Sequence, residues 1–185
     1  VRKAGMSELM ALRERGYRID IAEGKLSLQD FYRRCAEAWV VWSPEGLGWD
    51  CFRHYEALGC GSVPMINQPT IERHRPLIGG IHALYYDPEP GCLTGAIEAA
   101  LADKDRLRAI ARAGKAHVLA HHTLAAIGNY VVETTLGAQP WVTNSDCNLG
   151  CAAPRGRSHL APLAGRGRIA KAIRVRGTIE TPHTS

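Results

Sequence analysis

A glycine-containing turn followed by an arginine and a glutamate is the group of residues in this sequence best suited to chemistry. The turn covers residues 44–48 (PEGLG), and Arg53 and Glu56 follow it at a spacing of three. Glycines let a backbone turn sharply and approach a ligand closely. A guanidinium group pairs with phosphate oxygens, and a carboxylate accepts hydrogen bonds from sugar hydroxyls. These residue types suit a ligand that carries a diphosphate and a ribose.

The elements on either side of the turn must position these residues. The run AWVVWS at residues 38–43 predicts a strand that is covered on both faces, and residues 49–58 predict a helix. In an open parallel sheet, ligands bind at the carboxyl ends of the strands. The amino end of the next helix offers unpaired N–H groups and a partial positive charge. We therefore expect the turn to face a ligand at this edge.

Each of these residues also has a purely structural interpretation. Glycines are common in strand-to-helix turns, and Asp50 is an ordinary acidic residue for the start of a helix. Arg53 and Glu56 are spaced as a surface ion pair on a helix, which contributes only about 0.2–0.5 kcal/mol.

The remaining pattern alternates strands with helices. Further strands are predicted at residues 17–24, 62–66 and 82–87, and helices at residues 3–15, 28–35, 92–101 and 103–121. Thr123 predicts the cap of a last helix, on which Leu124, Ile127 and Val131 are expected to face inward. The fold class is therefore α/β, a Rossmann-like doubly wound sheet with about four parallel strands.

Composition and charge divide the chain into two parts. Residues 1–136 are predicted to form the folded domain, in which acidic and basic side chains balance. Residues 137–185 are rich in Gly, Pro and Arg, and their seven basic and two acidic residues account for the whole net charge of +5. We expect this tail to be poorly structured. The charge therefore does not indicate that the folded part binds nucleic acid. A basic tail is compatible with RNA or with peripheral contact with an anionic membrane, and a solvated tail without such a role is the favoured interpretation.

The cysteines and the hydropathy of the chain limit its class. Six cysteines occur without a secretory signal, so we interpret them as reduced thiols of a cytoplasmic protein. Cys147 and Cys151 lack a second pair at zinc spacing, and no metal site is predicted. No run approaches the ~18 apolar residues that a membrane span needs.

Two sequence blocks together resemble the donor-binding half of GT-B glycosyltransferases, in particular bacterial group 1 and exostosin-like members. They are GWDCFRHYEAL at residues 48–58, which overlaps the end of the EGLG turn, and GSVPM at residues 61–65. The resemblance covers about residues 17–136. It implies that Glu56 binds the nucleotide ribose and that the turn faces the diphosphate and the donor sugar. One spacing differs, because ten residues separate Glu45 from Glu56 where the family pattern has seven.

This resemblance implies an enzyme that transfers a sugar from a nucleotide-diphosphate sugar to a hydroxyl acceptor, with no separate cofactor. Only one of the two GT-B halves is present, so we expect a missing N-terminal acceptor-binding domain and an inactive isolated chain. No catalytic residue is assigned. The predicted substrate-binding residues are Glu45, Gly46, Gly48, Trp49, Asp50, Arg53 and Glu56.

Two alternatives remain open at this point. A non-catalytic sugar- or nucleotide-binding protein, or a structural remnant, would keep the same fold without turnover. A dehydrogenase or an epimerase would need a GxGxxG motif after the first strand, and none follows residues 17–24.

Overall fold

The computed structural model describes residues 1–22 and 24–137, together with the backbone of a strand at residues 173–176. The helices are α1 (Arg2–Glu14), α2 (Leu28–Ala36), α3 (Phe52–Gly59), α4 (Cys92–Ala102), α5 (Lys104–His121) and α6 (Leu124–Leu136). The strands are β1 (Arg18–Ile21), β2 (Val40–Trp42), β3 (Val63–Asn67), β4 (Leu84–Tyr86) and β5 (Ile173–Arg176).

The sheet combines parallel and antiparallel pairing. β2, β3 and β4 are adjacent and parallel, with Val41 opposite Pro64 and Ile66 opposite Tyr85. β5 lies between β1 and β2 and is antiparallel to both, so the strand order is β1-β5-β2-β3-β4. The α/β class and a three-stranded parallel sheet are therefore confirmed, whereas a sheet with parallel pairing throughout is wrong.

The position of β5 has a physical explanation. β1 and β2 each have an edge whose backbone N–H and C=O groups need partners, and β5 supplies them. Residues 173–176 alternate apolar and basic types in the sequence (IRVR), which is a strand pattern. An alternation over only four residues, inside a basic and glycine-rich tail, is too short to predict a strand from the sequence alone.

Successive residues of β2 enter different hydrophobic clusters. Val40 and Trp42 pack in the cluster that contains Leu9 of α1 and Ile97 of α4. Val41 packs instead with side chains of α2 and α3, including Phe31, Cys35 and Ala57. Side chains alternate between the two faces of a strand, so helices cover β2 on both sides. Burial of a large apolar side chain stabilises a fold by about 1.5–3 kcal/mol. The buried side chains of β2 therefore hold this strand in place, and with it the start of the loop that follows.

Helix starts follow local hydrogen bonding. Ser27 and Thr123 cap α2 and α6, because the backbone N–H groups of Asp30 and Ala126 donate to their hydroxyl oxygens at 3.0 and 3.1 Å. α3 begins at Phe52 rather than at residue 49, so the predicted helix start is wrong. The N-cap residue Cys51 is extended, with φ −138° and ψ 147°, and no side chain caps this helix.

Two compact units divide the chain. The first is formed by Val1–His122 with Arg168–Ser185, and the second by Thr123–Gly167. The predicted boundary between residues 136 and 137 stays a prediction, and apart from β5 the tail lies outside the described residues. None of the described helices is long and apolar enough to cross a bilayer.

Helix α6 differs from its sequence prediction. Its apolar residues Leu124, Ile127 and Val131 are 56%, 39% and 52% exposed, so the expectation that they face inward is wrong. Helical spacing places side chains on one face, but it does not decide whether that face is covered.

Candidate functional site

Ser43 joins the end of β2 to helix α3 through a buried hydrogen-bond network. Its hydroxyl oxygen lies 2.7 Å from His54 Nδ1 and 3.2 Å from Arg53 Nε. His54 Nε2 lies 2.8 Å from the carbonyl oxygen of Trp49. A carbonyl oxygen only accepts, so His54 carries its hydrogen on Nε2, while Nδ1 accepts from the Ser43 hydroxyl. Burial lowers the pKa of His54 to about 4, which keeps this imidazole neutral near pH 7.

Arg53 faces the inside of the loop. It is 8% exposed, and its Nη2 donates to the carbonyl oxygen of Pro44 at 2.7 Å. Burial lowers the pKa of Arg53, although the fields of Cys51 and Glu56 oppose the shift. Its described contacts therefore hold the loop on the helix. The predicted contact of Arg53 with phosphate stays a prediction.

Asn67, the last residue of β3, holds both ends of the glycine turn. Its Oδ1 accepts from the backbone N–H of Glu45 at 2.9 Å, and its Nδ2 donates to the Glu45 carboxylate at 3.3 Å. Its carbonyl oxygen accepts from the indole N–H of Trp49 at 2.9 Å. Asn67 is 2% exposed, so these contacts are shielded from water. The sequence signal for this role was a polar residue directly after a buried strand.

The tip of the turn is exposed between these anchors. Gly46, Leu47 and Gly48 face solvent, and the N–H of Gly46 donates to the carbonyl oxygen of Gly48 at 2.8 Å. The backbone of this tip is therefore accessible to a ligand at the carboxyl edge of the sheet.

Two predicted site residues lie just before α3 and already have protein partners. Trp49 is buried in a cluster with Leu58 and Ile66, and the Arg73 guanidinium carbon lies 4.2 Å from the centre of an indole ring. The Asp50 carboxylate is exposed and accepts from the Tyr55 hydroxyl at 2.8 Å. Trp49 therefore has a packing role, while Asp50 stays at the surface.

Glu56 lies on the second turn of α3 and is half-buried. The Tyr32 hydroxyl donates to its carboxylate at 3.4 Å. Burial raises the pKa of Glu56, while the hydrogen bond from Tyr32 and the charge of Arg53 act against the shift. Burial and the Glu56 charge raise the pKa of Tyr32 to about 12, so Tyr32 stays a donor near pH 7. This contact orients the carboxylate and leaves it partly accessible.

Arg2 reaches the turn from helix α1, and no sequence pattern predicts this contact. Its Nε donates to the carbonyl oxygen of Glu45 at 2.8 Å, and its Nη2 would lie 3.5 Å from a Cβ atom placed on Gly46. The positive charge of Arg2 contributes to lowering the pKa of Arg53. Neither arginine forms an ion pair with a carboxylate of the described residues. Direct contact with a carboxylate therefore neutralises neither arginine, although the Glu56 carboxylate acts on Arg53 at longer range.

The turn, the parallel strands and α3 all lie in the part of the chain that matches a known protein family. A family model described as glycosyl transferase-like matches residues 28–133, which is more than half of the 185-residue chain. The chain belongs to this glycosyl transferase-like family. Searches of curated proteins and of solved structures each returned no match.

Membership of the glycosyl transferase-like family confirms part of the resemblance found in the sequence. It supports sugar transfer in general and a sugar donor as substrate. The GT-B half, the nucleotide-sugar donor and the roles of the individual site residues go further and are proposals. Among the described residues, no group of three or more His, Cys, Asp or Glu side chains is arranged to hold a metal ion.

Proposed function

We propose that this glycosyl transferase-like domain binds a nucleotide-diphosphate sugar at residues 43–56. Together with an acceptor-binding domain outside this sequence, it would transfer the sugar to a hydroxyl group. The observation that carries the proposal is the pair of guanidinium groups, Arg2 and Arg53, beside an exposed glycine turn and without a paired carboxylate among the described residues. Two adjacent positive charges repel each other, and a bound anion removes this repulsion.

The two arginines have different proposed roles in donor binding. Arg53 is buried and holds the loop, so it supports the diphosphate site mainly through its charge. Arg2 is exposed and adjoins Gly46, so it is the side chain we assign to direct contact with phosphate oxygens. The amino end of α3, which no side chain caps, adds backbone N–H groups and a partial positive charge. Together these groups stabilise negative charge on the leaving nucleoside diphosphate.

Glu56 is assigned to the two ribose hydroxyls. Its half-buried carboxylate is held by one hydrogen bond from Tyr32, which leaves further lone pairs to accept from a diol. Asp50 and Trp49 are assigned positioning roles, because their described contacts lie within the protein.

The assignment to the C-terminal half of a GT-B enzyme is part of the same proposal. Three adjacent parallel strands with helices on both faces of β2, together with the family match, support it. An isolated donor-binding half lacks the groups that position an acceptor, so binding without turnover is expected.

Calorimetric titration with the diphosphates of uridine, guanosine, adenosine, cytidine and thymidine tests this function. We expect one of them to bind, and Arg2→Ala and Glu56→Ala each to weaken that binding about tenfold, as expected for loss of a charge-assisted hydrogen bond. Arg13→Ala is the matched control, because it removes an exposed arginine from the same helix without approaching the turn. A folded wild-type chain that binds none of the five, or that binds NAD instead, would overturn the proposal.

A further inference from the structure

Five of the eight histidines in the sequence gather where the β3–β4 loop (residues 68–83) meets the end of α5. The His82 and His117 rings are stacked with centroids 4.1 Å apart, and the His117 ring lies 4.8 Å from His121 and 5.4 Å from His122. His74 extends the group at 6.5 Å from His122. We call these five residues the histidine cluster.

Two members of the histidine cluster hold the loop by its backbone. Nε2 of His117 and Nε2 of His122 each lie 2.9 Å from the carbonyl oxygen of Arg75. Since this oxygen only accepts, both rings carry a hydrogen on Nε2 and accept further protons only at Nδ1. Arg75 has φ 44°, a conformation that costs a non-glycine residue about 1–3 kcal/mol and persists only where the surroundings impose it.

His82 belongs to the loop and contacts α5 through its stacking on His117. Its Nδ1 lies 3.2 Å from the backbone nitrogen of Ile78 and accepts its hydrogen, so a neutral His82 carries its own hydrogen on Nε2. A proton on Nδ1 removes this acceptor and places a positive charge against the stacked His117 ring. Burial and the field of His117 lower the pKa of His82. Burial also lowers the pKa of His122; the hydrogen bond to the Arg75 carbonyl opposes this shift, and the fields of His117 and His74 add to it.

The electrostatic effects on the histidine cluster come mainly from its own imidazoles and from Arg75. The field of His117 acts on His82, His121 and His122, and Arg75 adds to lowering the pKa of His121. The side facing α3 contributes the neutral Tyr55 ring, 4.5 Å from His122, and the more distant Asp50 carboxylate, which opposes the shift of the His122 pKa. Each additional proton therefore meets more repulsion than attraction.

We propose that the histidine cluster is a pH-sensitive latch, which holds the β3–β4 loop on the end of α5 while its imidazoles are neutral and releases the loop when they are protonated. Histidines with a lowered pKa in the folded state stabilise the closed form fully above pH ~6.5, and this contribution is lost as the pH falls from there towards the lowered values. The latch does not depend on donor binding. Its release would free Arg73 from Trp49, next to the glycine turn.

Hydrogen exchange of the complete chain, measured by mass spectrometry, tests the latch. We expect protection of residues 68–83, corrected for intrinsic rates, to be about tenfold lower at about pH 5.5 than at about pH 7.5. The peptide covering α4 serves as the internal control and should show no such change. His54, with its pKa of about 4, stays neutral in the folded protein over this range, and the pH dependence that it gives to global unfolding would appear in the α4 peptide as well.

Two variants separate the latch from general acid sensitivity. The double variant His82→Asn, His117→Gln keeps an acceptor for the Ile78 N–H and a donor to the Arg75 carbonyl, but neither amide takes up a proton in this pH range. The loss of protection between about pH 7.5 and about pH 5.5 should therefore fall below about threefold. His82→Lys places a permanent charge against His117 and should lower the protection of the loop already at about pH 7.5. Equal protection of the wild-type loop at both pH values, or an unchanged response in the double variant, would overturn the latch.

An NMR titration of the wild-type imidazoles provides a second test that requires no variant. It should find His117 and His122 with the hydrogen on Nε2 and pKa values of His82 and His122 below 6.5. If both histidines titrate at their ordinary value, the latch proposal is overturned.

Discussion

The loops that leave the carboxyl ends of β2 and β3 both depend on histidine, but in opposite ways. In the β2–α3 loop (residues 43–51), His54 of the following helix is fully buried and uses both ring nitrogens for fixed partners. In the β3–β4 loop, His74 and His82 are partly exposed and meet three further imidazoles of the α5 end. Burial with two fixed partners makes an imidazole a permanent support, whereas crowding near solvent makes it sensitive to protons.

Replacing the histidine that supports each loop should give the largest difference in unfolding free energy between the two regions. His54→Ala leaves a cavity, removes the donor to the Trp49 carbonyl and removes the imidazole acceptor of the Ser43 hydroxyl, which keeps its contact with Arg53. The free energy of unfolding should fall by about 4 kcal/mol. His82→Ala should lower it by about 1 kcal/mol, because that side chain is only partly buried. Urea denaturation at neutral pH measures both, and equal losses would contradict the comparison.

Acid should weaken the support that His54 gives to the β2–α3 loop. The pKa of His54 falls from 6.5 to about 4 on folding, so its contribution is complete above pH 6.5 and is lost as the pH falls to 4. This linkage amounts to roughly 3 kcal/mol of unfolding free energy. Denaturant midpoints at successive pH values measure it. If stability stays constant between pH 6.5 and 4, the assignment of His54 as a neutral support is wrong.

A glycine in α5 allows the β3–β4 loop to approach this helix, and replacing it tests the contact without changing charge. A Cβ atom on Gly114 would lie 2.6 Å from the backbone oxygen of His82 and 2.4 Å from a Leu58 methyl group. Gly114→Ala should therefore destabilise the fold by about 1–3 kcal/mol. Gly95→Ala in α4 is the matched control, because no heavy atom lies within 4 Å of its added Cβ. It should stabilise the protein by about 0.5–1 kcal/mol in thermal unfolding.

The smallest expected effect concerns Glu56, the half-buried carboxylate of α3. Tyr32→Phe removes the hydrogen bond to Glu56 and should change unfolding free energy by only about 1 kcal/mol or less. Because that bond holds the pKa of Glu56 down against burial, its removal should raise this pKa further. Carbon-detected NMR titration of Glu56 measures the shift. A lower pKa in the variant would show that the Tyr32 hydroxyl does not stabilise the charged form of Glu56.

Much of the fold could be predicted from the sequence because its signals are local. Short apolar runs marked β2 and β3, and the hydroxyl caps at Ser27 and Thr123 marked two helix starts. The start of α3 was misplaced because Trp49 fits a helical pattern, although its indole is held by Asn67 instead.

The candidate site is formed by contacts between residues that lie far apart in the sequence, and no local sequence pattern predicts such contacts. The side chain of Arg2 reaches Glu45 across 43 residues, and His117 reaches Arg75 across 42. Spacing placed Arg53 near the turn, but it did not predict that this side chain points inward. The family match supports the general activity, while these distant contacts carry the specific proposals.

The insertion of β5 means that β1 joins the sheet only through a segment from the far end of the sequence. A shortened protein ending at residue 137 would leave one side of β2 as an open template for strand addition. Such a protein should form dimers or larger assemblies, and an added peptide with the sequence of residues 173–176 and their neighbours should compete with this self-association.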